Sequence, residues 1–262
     1  LKADFEQGFM LLSDMGDQLL LPLLNIDSAD NLYTQAMASL VDIAKTSAMV
    51  GERELPPYDE TLLDREMSLF TDWFLIKHLQ LELTAQDKRV LQQTFELLRE
   101  SALGQVQVPV HRDYHSRNIM VLKDQSLGII DFQDAVLGPI TYDLVSLLRD
   151  CYIAWPESKV EDWVSEYFVL AKKAGLIGPI SGMQFKLWFD WMGLQRHIKV
   201  AGIFSRLSIR DGKSAYLDDI PQTLNYILQV SAEYDALTEF HLWLNTRILP
   251  LLDYDLTADA QS

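Results

Sequence analysis

Three polar residues near the middle of the chain have the types and the spacing that phosphoryl transfer requires. Asp113 is followed by Asn118, and Asp131 comes thirteen residues after the asparagine. An amide oxygen and a carboxylate suit a hard cation such as Mg2+. A carboxylate that does not bind the metal can orient a hydroxyl group and accept its proton. Because phosphoryl transfer needs neutralised phosphates and a positioned nucleophile, we predict that Asp113 is the base and that Asn118 and Asp131 bind the metal.

Two short apolar runs predict the element that positions these residues. Residues 119–122 and 127–130 are apolar, and the polar connection 123–126 has the length of a hairpin loop. Such a hairpin brings Asn118 and Asp131 to one end of the paired strands, with Asp113 on the loop just before them. Single motifs of this composition occur by chance, whereas this ordered set with a hairpin inside it favours a catalytic loop.

The same segment resembles the aminoglycoside phosphotransferase family of kinase-like enzymes. The resemblance rests on HRDYHSRN at 111–118, IDFQD at 130–134 and YDL at 142–144, which follow the order of the kinase signature. The histidine two residues after the first aspartate is usual in this family, whereas protein kinases usually carry lysine there. The resemblance implies an α+β, protein-kinase-like fold, ATP and Mg2+ as cofactors, and loop-supporting roles for His111, His115, Asp134 and Asp143.

The resemblance also divides the chain into two parts. Residues 8–12 are predicted to form a strand before a polar turn, and in the family such a strand leads from a small β-rich lobe into the hinge that binds adenine. We expect residues 1–17 to hold that strand and hinge, and residues 18–262 to form the helical C-lobe with the catalytic loop at 110–134. A plain edge strand is the alternative to ATP contacts at Leu11, Leu12, Ser13 and Asp14.

The other parts of the small lobe have no counterpart in the sequence. No glycine-rich phosphate loop occurs, and Lys2 is the only lysine before the predicted hinge. The N-terminal β lobe is therefore expected to be largely absent from this chain. Since the catalytic elements look intact, we interpret the chain as a fragment, or as a kinase whose first lobe is missing from this sequence. A degenerate kinase that binds nucleotide without catalysis is the alternative.

The bulk composition is typical of a cytosolic globular protein. Of the 262 residues, 48% are hydrophobic and 23% are charged, and the single cysteine, Cys151, cannot form an internal disulfide. No apolar run approaches the roughly 20 residues that span a bilayer. The net charge of −16 argues against nucleic acid, whose binding depends on cationic patches. We expect a cytoplasmic protein without a membrane or nucleic-acid partner; the sequence leaves its oligomeric state open.

The remaining sequence is predicted to be helical. Capping residues and amphipathic spacing predict helices over about 30–44, 59–79, 84–103, 159–175, 181–204 and 236–249, with further helices from Thr141 and Pro221. Asp143 falls in the first turn of the helix from Thr141, where an acidic residue is favourable. In the resembled family such an aspartate bonds to the backbone of the catalytic loop. Gly138 and Pro139 predict a turn between the motif and this helix.

A basic stretch interrupts the acidic sequence at residues 186–213. Six basic and two acidic residues give it a charge of +4. It is either an ordinary solvated helix face or a cationic wall beside the acceptor pocket. In the second interpretation Arg196 and His197 contact the substrate, because they place polar groups within an otherwise apolar helix.

Residues 136–150 and 193–213 resemble one subgroup of the family, the bacterial anomeric kinases of N-acetylmuramate and N-acetylglucosamine. This resemblance implies ATP-dependent phosphorylation of the C1 hydroxyl of an amino sugar in cell-wall recycling. A carboxylate on the sugar would suit the basic stretch. The alternatives are a kinase of another small alcohol or antibiotic (a choline-like alcohol, homoserine or an aminoglycoside) and a non-catalytic nucleotide-binding protein.

Overall fold

The chain is mainly helical, and its strands are short and occur in pairs. The computed structural model describes residues 2–252 except Phe5 and Gly51. Within this part of the chain the strands are β1 (Lys2–Asp4), β2 (Phe9–Leu11), β3 (Met49–Val50), β4 (Arg53–Glu54), β5 (Gln107–Val110), β6 (Ile119–Val121), β7 (Leu127–Ile129) and β8 (Val136–Pro139). The antiparallel pairs are β1–β2, β3–β4, β5–β8 and β6–β7.

The helices surround the two pairs β5–β8 and β6–β7. They are α1 (Ala29–Lys45), α2 (Glu60–Leu69), α3 (Ala85–Leu103), α4 (Tyr142–Leu148), α5 (Glu157–Lys173), α6 (Gly182–Asp211), α7 (Ile220–Glu233) and α8 (Thr238–Trp243). Wider π-helical turns continue α2 over Phe70–His78 and α8 over Leu244–Ile248. Short 3-10 turns occupy Leu21–Leu23, Ser214–Asp219, Asp235–Leu237 and Leu249–Leu251. None of the described helices is long and apolar enough to cross a membrane.

Helices α2 and α3 begin at the predicted positions, where capping side chains accept backbone N–H groups. The Thr84 and Asp87 side chains form a capping box at the start of α3. Asp59 accepts the backbone N–H of Leu62 at 2.9 Å at the start of α2. Such caps stabilise a helix by about 1 kcal/mol each. Local chemistry therefore decides where these helices begin, and their apolar faces decide how they pack.

Helix α6 is the central element of the described structure. It packs against α2 and its π-helical continuation, and against α3, α4 and α7. Every residue from Met192 to Gly202 is buried, so this part of the helix has no solvent face. A helix buried all round must supply partners for its polar side chains from the surrounding elements. The polar residues of the basic stretch consequently have structural neighbours on several other helices.

The predicted hairpin is confirmed as the pair β6–β7, with Ile119 opposite Ile129. The segment before α1 lies along the other edge of β6, where Leu20 N–H donates to Ile119 C=O and Val121 N–H donates to Gln18 C=O, both at 2.8 Å. β6 is therefore hydrogen-bonded on both sides. This arrangement gives the catalytic hairpin a fixed position against the remainder of the fold.

Two predicted features are corrected. Gly138 and Pro139 do not form a turn; they belong to β8, in which Pro139 pairs with Gln107, the first residue of β5. Proline is tolerated there because it lies at the last position of a strand in a two-stranded pair. The long helix does not end at residue 204 but continues to Asp211, where Gly212 ends it with a left-handed φ of 68°.

We predict that Gly202→Ala destabilises the protein. An alanine Cβ at this position would lie 2.3 Å from the backbone carbon of Leu69, so α2 and α6 would have to separate. Overpacking of this kind typically costs about 1–3 kcal/mol. The measurement is the free energy of unfolding in urea.

Gly182→Ala, at the start of the same helix, is the control. Its Cβ would meet only the Phe168 ring, at 4.0 Å. Equal stability of Gly202→Ala and Gly182→Ala would contradict the close packing of α2 against α6.

Candidate functional site

The loop after β5 brings together the three residues predicted to carry the chemistry. The Asn118 amide nitrogen donates to the Asp113 backbone oxygen at 3.1 Å and lies 3.4 Å from the Asp131 carboxylate. Ile130 N–H donates to Asn118 C=O at 3.1 Å, which closes the base of the hairpin. The loop and the end of β7 thus converge at one point.

The Asp113 carboxylate remains open at this point. It is half-buried and accepts no hydrogen bond from the residues that the structure describes. The backbone around it is nevertheless fixed, because Asp113 N–H donates to the His111 ring nitrogen Nδ1 at 3.3 Å and Asp113 C=O accepts from His115 N–H at 3.0 Å. An oriented carboxylate without an internal donor is suited to accept a hydrogen bond from a hydroxyl group of a ligand.

The oxygen atoms of Asn118 and Asp131 fit a hard divalent cation. The Asn118 amide uses its nitrogen for the contacts within the loop, and its oxygen accepts no hydrogen bond from the described residues. Asp131 is exposed and has a left-handed φ of 69°, which marks a backbone position that its surroundings must hold. One of its carboxylate oxygens accepts from the Gln133 amide at 2.7 Å. Mg2+ is commonly bound by one or two side-chain oxygens together with substrate phosphates and water.

The remaining loop residues differ in their surroundings. His111 is buried, and burial lowers the pKa of its ring. Burial also lowers the pKa of His115, whose Nε2 lies 3.5 Å from the Asn118 amide nitrogen. Both histidines are therefore uncharged near neutral pH. Asp134 has an exposed side chain, and its backbone oxygen accepts from the Arg112 guanidinium at 3.4 Å.

Asp143, in the first turn of α4, holds the start of the loop. Its carboxylate accepts the backbone N–H groups of His111 at 2.6 Å and Arg112 at 2.9 Å. Burial raises the pKa of Asp143 to about 7, against these two donors, which favour the anion. This is the contact with the loop backbone that the resemblance implied.

Asp150, just after α4, holds the second half of the loop, and sequence reasoning assigned it no role. Its Oδ2 accepts both the backbone N–H and the hydroxyl of Ser116, at 3.0 and 2.5 Å. Asp150 lies two residues beyond the end of α4 and seven residues after Asp143. Acidic residues at both ends of this apolar segment were visible in the sequence.

A buried ion cluster under the loop was also missed. Glu66 of α2 pairs with Arg112 at 2.5 Å and with Lys199 of α6 at 3.2 Å, and the Tyr58 hydroxyl donates to it. Burial favours the neutral acid, but Lys199, Tyr58 and Arg112 together lower the pKa of Glu66 below its ordinary value. Arg112 has a left-handed φ of 76°, and the cluster fixes its guanidinium. No local sequence pattern links these three distant positions.

The predicted hinge residues lie on the exposed side of the same hairpin. Leu11, Leu12, Ser13 and Asp14 are exposed. The chain then passes over the hairpin so closely that a Cβ on Gly128 would lie 2.9 Å from the Met15 sulfur. Residues 14–18 and 121–125 line a cleft of about 740 Å³. Of the four predicted residues, Asp14 lines this cleft, which lies at the loop end of the hairpin, whereas Asn118 and Asp131 lie at its other end.

The two predicted substrate residues of α6 have different surroundings. His197 is fully buried, stacks on Tyr226 with ring centroids 4.6 Å apart, and bonds through Nε2 to the Arg149 backbone oxygen. Burial lowers its pKa to about 3. We correct the prediction for His197, because this ring is part of the core and faces no cleft.

Arg196 is buried beside the catalytic loop. Its guanidinium donates to the Cys151 sulfur at 3.8 Å. Burial opposes its charge, but the nearby groups, including Asp150 and Asp113, raise its pKa above the ordinary value. Within the described residues no carboxylate lies within ion-pair distance of Arg196. A buried guanidinium without such a partner is costly, which favours the prediction that it meets an anionic ligand.

The catalytic loop, its hairpin and the helix that clamps it define a kinase-like phosphotransferase. The chain belongs to the phosphotransferase enzyme family, which it matches over residues 3–176. The predicted α+β, protein-kinase-like fold is confirmed. Two solved structures share it: the gentamicin–APH(2")-IIa complex (TM-score 0.52, 12% identity, 87% of this chain and 71% of that chain) and Plasmodium vivax ethanolamine kinase (TM-score 0.53, 13% identity, 82% and 62%).

Relatives with much higher identity carry a narrower name. An N-acetylmuramate/N-acetylglucosamine kinase of Neisseria meningitidis serogroup B is 43% identical over 248 residues, which cover 93% of this chain and 73% of the relative. The enzyme of the same name from Pseudomonas putida is 42% identical over 236 residues, 90% of this chain and 68% of the relative. The similarity therefore extends through both the catalytic loop and the helices that surround it.

We predict that Glu66→Gln destabilises the protein by about 3–5 kcal/mol, because it leaves Arg112 and Lys199 buried without their anion. It should also lower kcat, since the loop loses its anchor. The free energy of unfolding and the turnover rate test these two effects.

The exposed pair between Asp64 of α2 and Arg99 of α3, 2.9 Å apart, supplies the control. Asp64→Asn should cost less than about 1 kcal/mol. If Glu66→Gln is no more costly than this surface change, the buried cluster does not anchor the loop.

The raised pKa of Asp143 predicts a pH-dependent stability. Between its ordinary value of 3.8 and about 7, the folded protein binds more protons at this site than the unfolded chain. Stability contributed by the protonated acid is therefore present at low pH and decreases as pH rises to about 7. Asp143→Asn should flatten this slope, measured as the urea midpoint at several pH values from 4 to 8. Asp72→Asn, an exposed change on the π-helical continuation of α2, should keep the wild-type slope; an unchanged slope in Asp143→Asn would refute the assignment.

Proposed function

We propose that the protein is an ATP-dependent kinase that phosphorylates the anomeric hydroxyl of N-acetylmuramate and N-acetylglucosamine. The observation that carries this proposal is the 42–43% identity to kinases of that name over at least 90% of the chain. The open Asp113 carboxylate next to the oxygens of Asn118 and Asp131 supports the same chemistry. ATP and a divalent cation are part of the proposal.

Asp113 would orient the acceptor hydroxyl and accept its proton as the new P–O bond forms. Its backbone is held by His111 and His115. The carboxylate is therefore fixed in position while its oxygens accept no hydrogen bond from the described residues. General base catalysis of this kind depends first on geometry. The clamp by Asp143 supplies that geometry from below the loop.

Asn118 and Asp131 would hold the divalent cation. When bound, the cation neutralises charge on the β- and γ-phosphates. Asp131 is exposed at the end of the hairpin, and Asn118 is directed by its contacts within the loop. The chain's own contribution is therefore to keep two oxygen ligands apart from the base and oriented toward the same opening.

The nucleotide would lie between this point and the segment that contains Leu11–Asp14. Asp14 of that segment lines the cleft formed by residues 14–18 and 121–125, at the loop end of the same hairpin. We retain the division of the chain at residue 17, with the hinge before it and the helical lobe after it, as part of the proposal. Backbone groups of the exposed segment would bind the adenine edge.

Arg196 would form part of the acceptor pocket. It is a buried cation near Asp113 and Asp150, and it has no carboxylate partner among the described residues. An acceptor group with negative charge or strong acceptor oxygens would supply what the core does not. His197 has no place in this pocket because its ring is buried in the core.

Asp113→Asn should lower kcat by about 10²–10⁴-fold, the range typical of general acid–base catalysis, with nucleotide binding largely retained. Turnover is measured with ATP, Mg2+ and each amino sugar, and nucleotide binding by calorimetry. Asp72→Asn, an exposed change on the π-helical continuation of α2, is the control.

Near-wild-type turnover of Asp113→Asn would show that this carboxylate is not the base. A panel of other acceptors, including a choline-like alcohol, homoserine and an aminoglycoside, tests the acceptor itself. Phosphorylation of one of these in place of both amino sugars would replace the proposed substrate.

A further inference from the structure

Arg117, which precedes Asn118 in the catalytic loop, is held on an aromatic platform. Its guanidinium carbon lies 3.6 Å from the centroid of the Tyr152 ring. Arg117 is exposed, whereas Tyr152 is half-buried. A cation over an aromatic face is attracted by the electrons of the ring. The long arginine side chain is thus ordered without using its N–H groups.

The platform belongs to the catalytic site. The Tyr152 ring packs edge-on against His115, with centroids 5.6 Å apart, and the His115 ring is in turn 3.5 Å from the Asn118 amide nitrogen. Tyr152 N–H donates to Asp150 at 3.3 Å, and Asp150 also holds Ser116 in the loop. Arg117 is therefore positioned by the same clamp that positions the residues proposed to react.

Among the residues that the structure describes, the Arg117 guanidinium makes no hydrogen bond and no ion pair. Asp219 on the neighbouring 3-10 turn is affected by the charge of Arg117. Burial raises the pKa of the Asp219 carboxyl, and the Arg117 cation opposes this rise. Exposed arginines elsewhere on the chain, such as Arg89 and Arg210, pair directly with carboxylates at 3.0 and 2.7 Å.

Stacking leaves Arg117 prepared for a carboxylate. The guanidinium carbon lies over the Tyr152 ring, and the N–H groups of a guanidinium lie in its plane, along its edge. This edge matches the two oxygens of a carboxylate in a bidentate pair. Ordering before binding reduces the entropy that a ligand would otherwise have to offset.

We propose that Arg117, stacked on Tyr152, binds the carboxylate of N-acetylmuramate and makes the enzyme favour this acidic sugar over N-acetylglucosamine. The inference rests on the proposed function. The two sugars differ by the lactyl ether that carries the carboxylate, so a guanidinium at the pocket wall distinguishes them. The amino-sugar portion common to both is left to the rest of the pocket.

The test compares the two sugars in wild type, Arg117→Met and Arg117→Lys. Methionine keeps an apolar chain against Tyr152 and removes the charge. We expect kcat/KM for N-acetylmuramate to fall by about 10- to 100-fold in Arg117→Met, the loss of a charge-assisted hydrogen-bonded pair, mainly through KM. The value for N-acetylglucosamine should change far less, and Arg117→Lys should recover part of the preference. Arg89→Met, on α3, is the matched control and should leave both values as in wild type.

Calorimetry of each sugar with each variant provides a measurement without turnover, and thermal midpoints verify that the variants fold. An equal loss for both sugars, or no loss for either, overturns the assignment of Arg117. A selective rise in the KM for ATP overturns it in favour of a contact with the nucleotide. Failure of the wild type to phosphorylate either sugar is a separate outcome, which removes the proposed function and this inference with it.

Discussion

Two carboxylates from one short helical segment hold the catalytic loop by its main chain. Asp143 accepts the N–H groups of His111 and Arg112, and Asp150 accepts that of Ser116. Bonds to the main chain fix the path of the loop regardless of the side chains it presents. They also sustain the left-handed φ of Arg112, a conformation that costs a non-glycine residue about 1–3 kcal/mol. The chemistry of the exposed side chains depends on this support.

The ion cluster beneath the loop extends the support to α2 and α6. Glu66 lies between Arg112 and Lys199, so one buried anion offsets two cations. Burying such charges is not in itself a strong source of stability, because desolvation opposes the attraction. Their effect is on geometry. With Glu66 in place, the guanidinium and ammonium groups have one favourable arrangement around it, and without this anion both cations would be buried unpaired. The close approach of α6 to α2 at Gly202 makes that arrangement reachable.

Much of the site was predictable because its signals are local. The hairpin follows from two apolar runs and their polar connection, and the helix starts follow from caps such as Thr84. The extra strand β8 was missed because Gly138 and Pro139 favour turns locally, whereas pairing with β5 is a long-range property. Glu66 lies 46 residues before Arg112 in the sequence, and no spacing rule connects them. His197 was misplaced for a related reason: composition marked the basic stretch but did not show that Met192–Gly202 of α6 is buried on all sides.

Polar groups beneath the catalytic loop and polar groups on its outer side differ in whether they have hydrogen-bond partners within the protein. Beneath the loop, the carboxylates of Asp143, Asp150 and Glu66 all have donors within the protein. On its outer side, the Asp113 carboxylate and the Asn118 amide oxygen have no donor, and the Arg117 guanidinium has no acceptor, among the described residues. Buried polar groups in proteins are generally paired, so a rigid loop whose outward groups stay open is prepared for a ligand. In a chain of net charge −16, overall charge repels a polyphosphate or a sugar carboxylate. Attraction must therefore come from local cations. Arg196, near Asp150 and Asp113, and Arg117, on the Tyr152 ring, are two cations beside the loop, and we propose that they supply it.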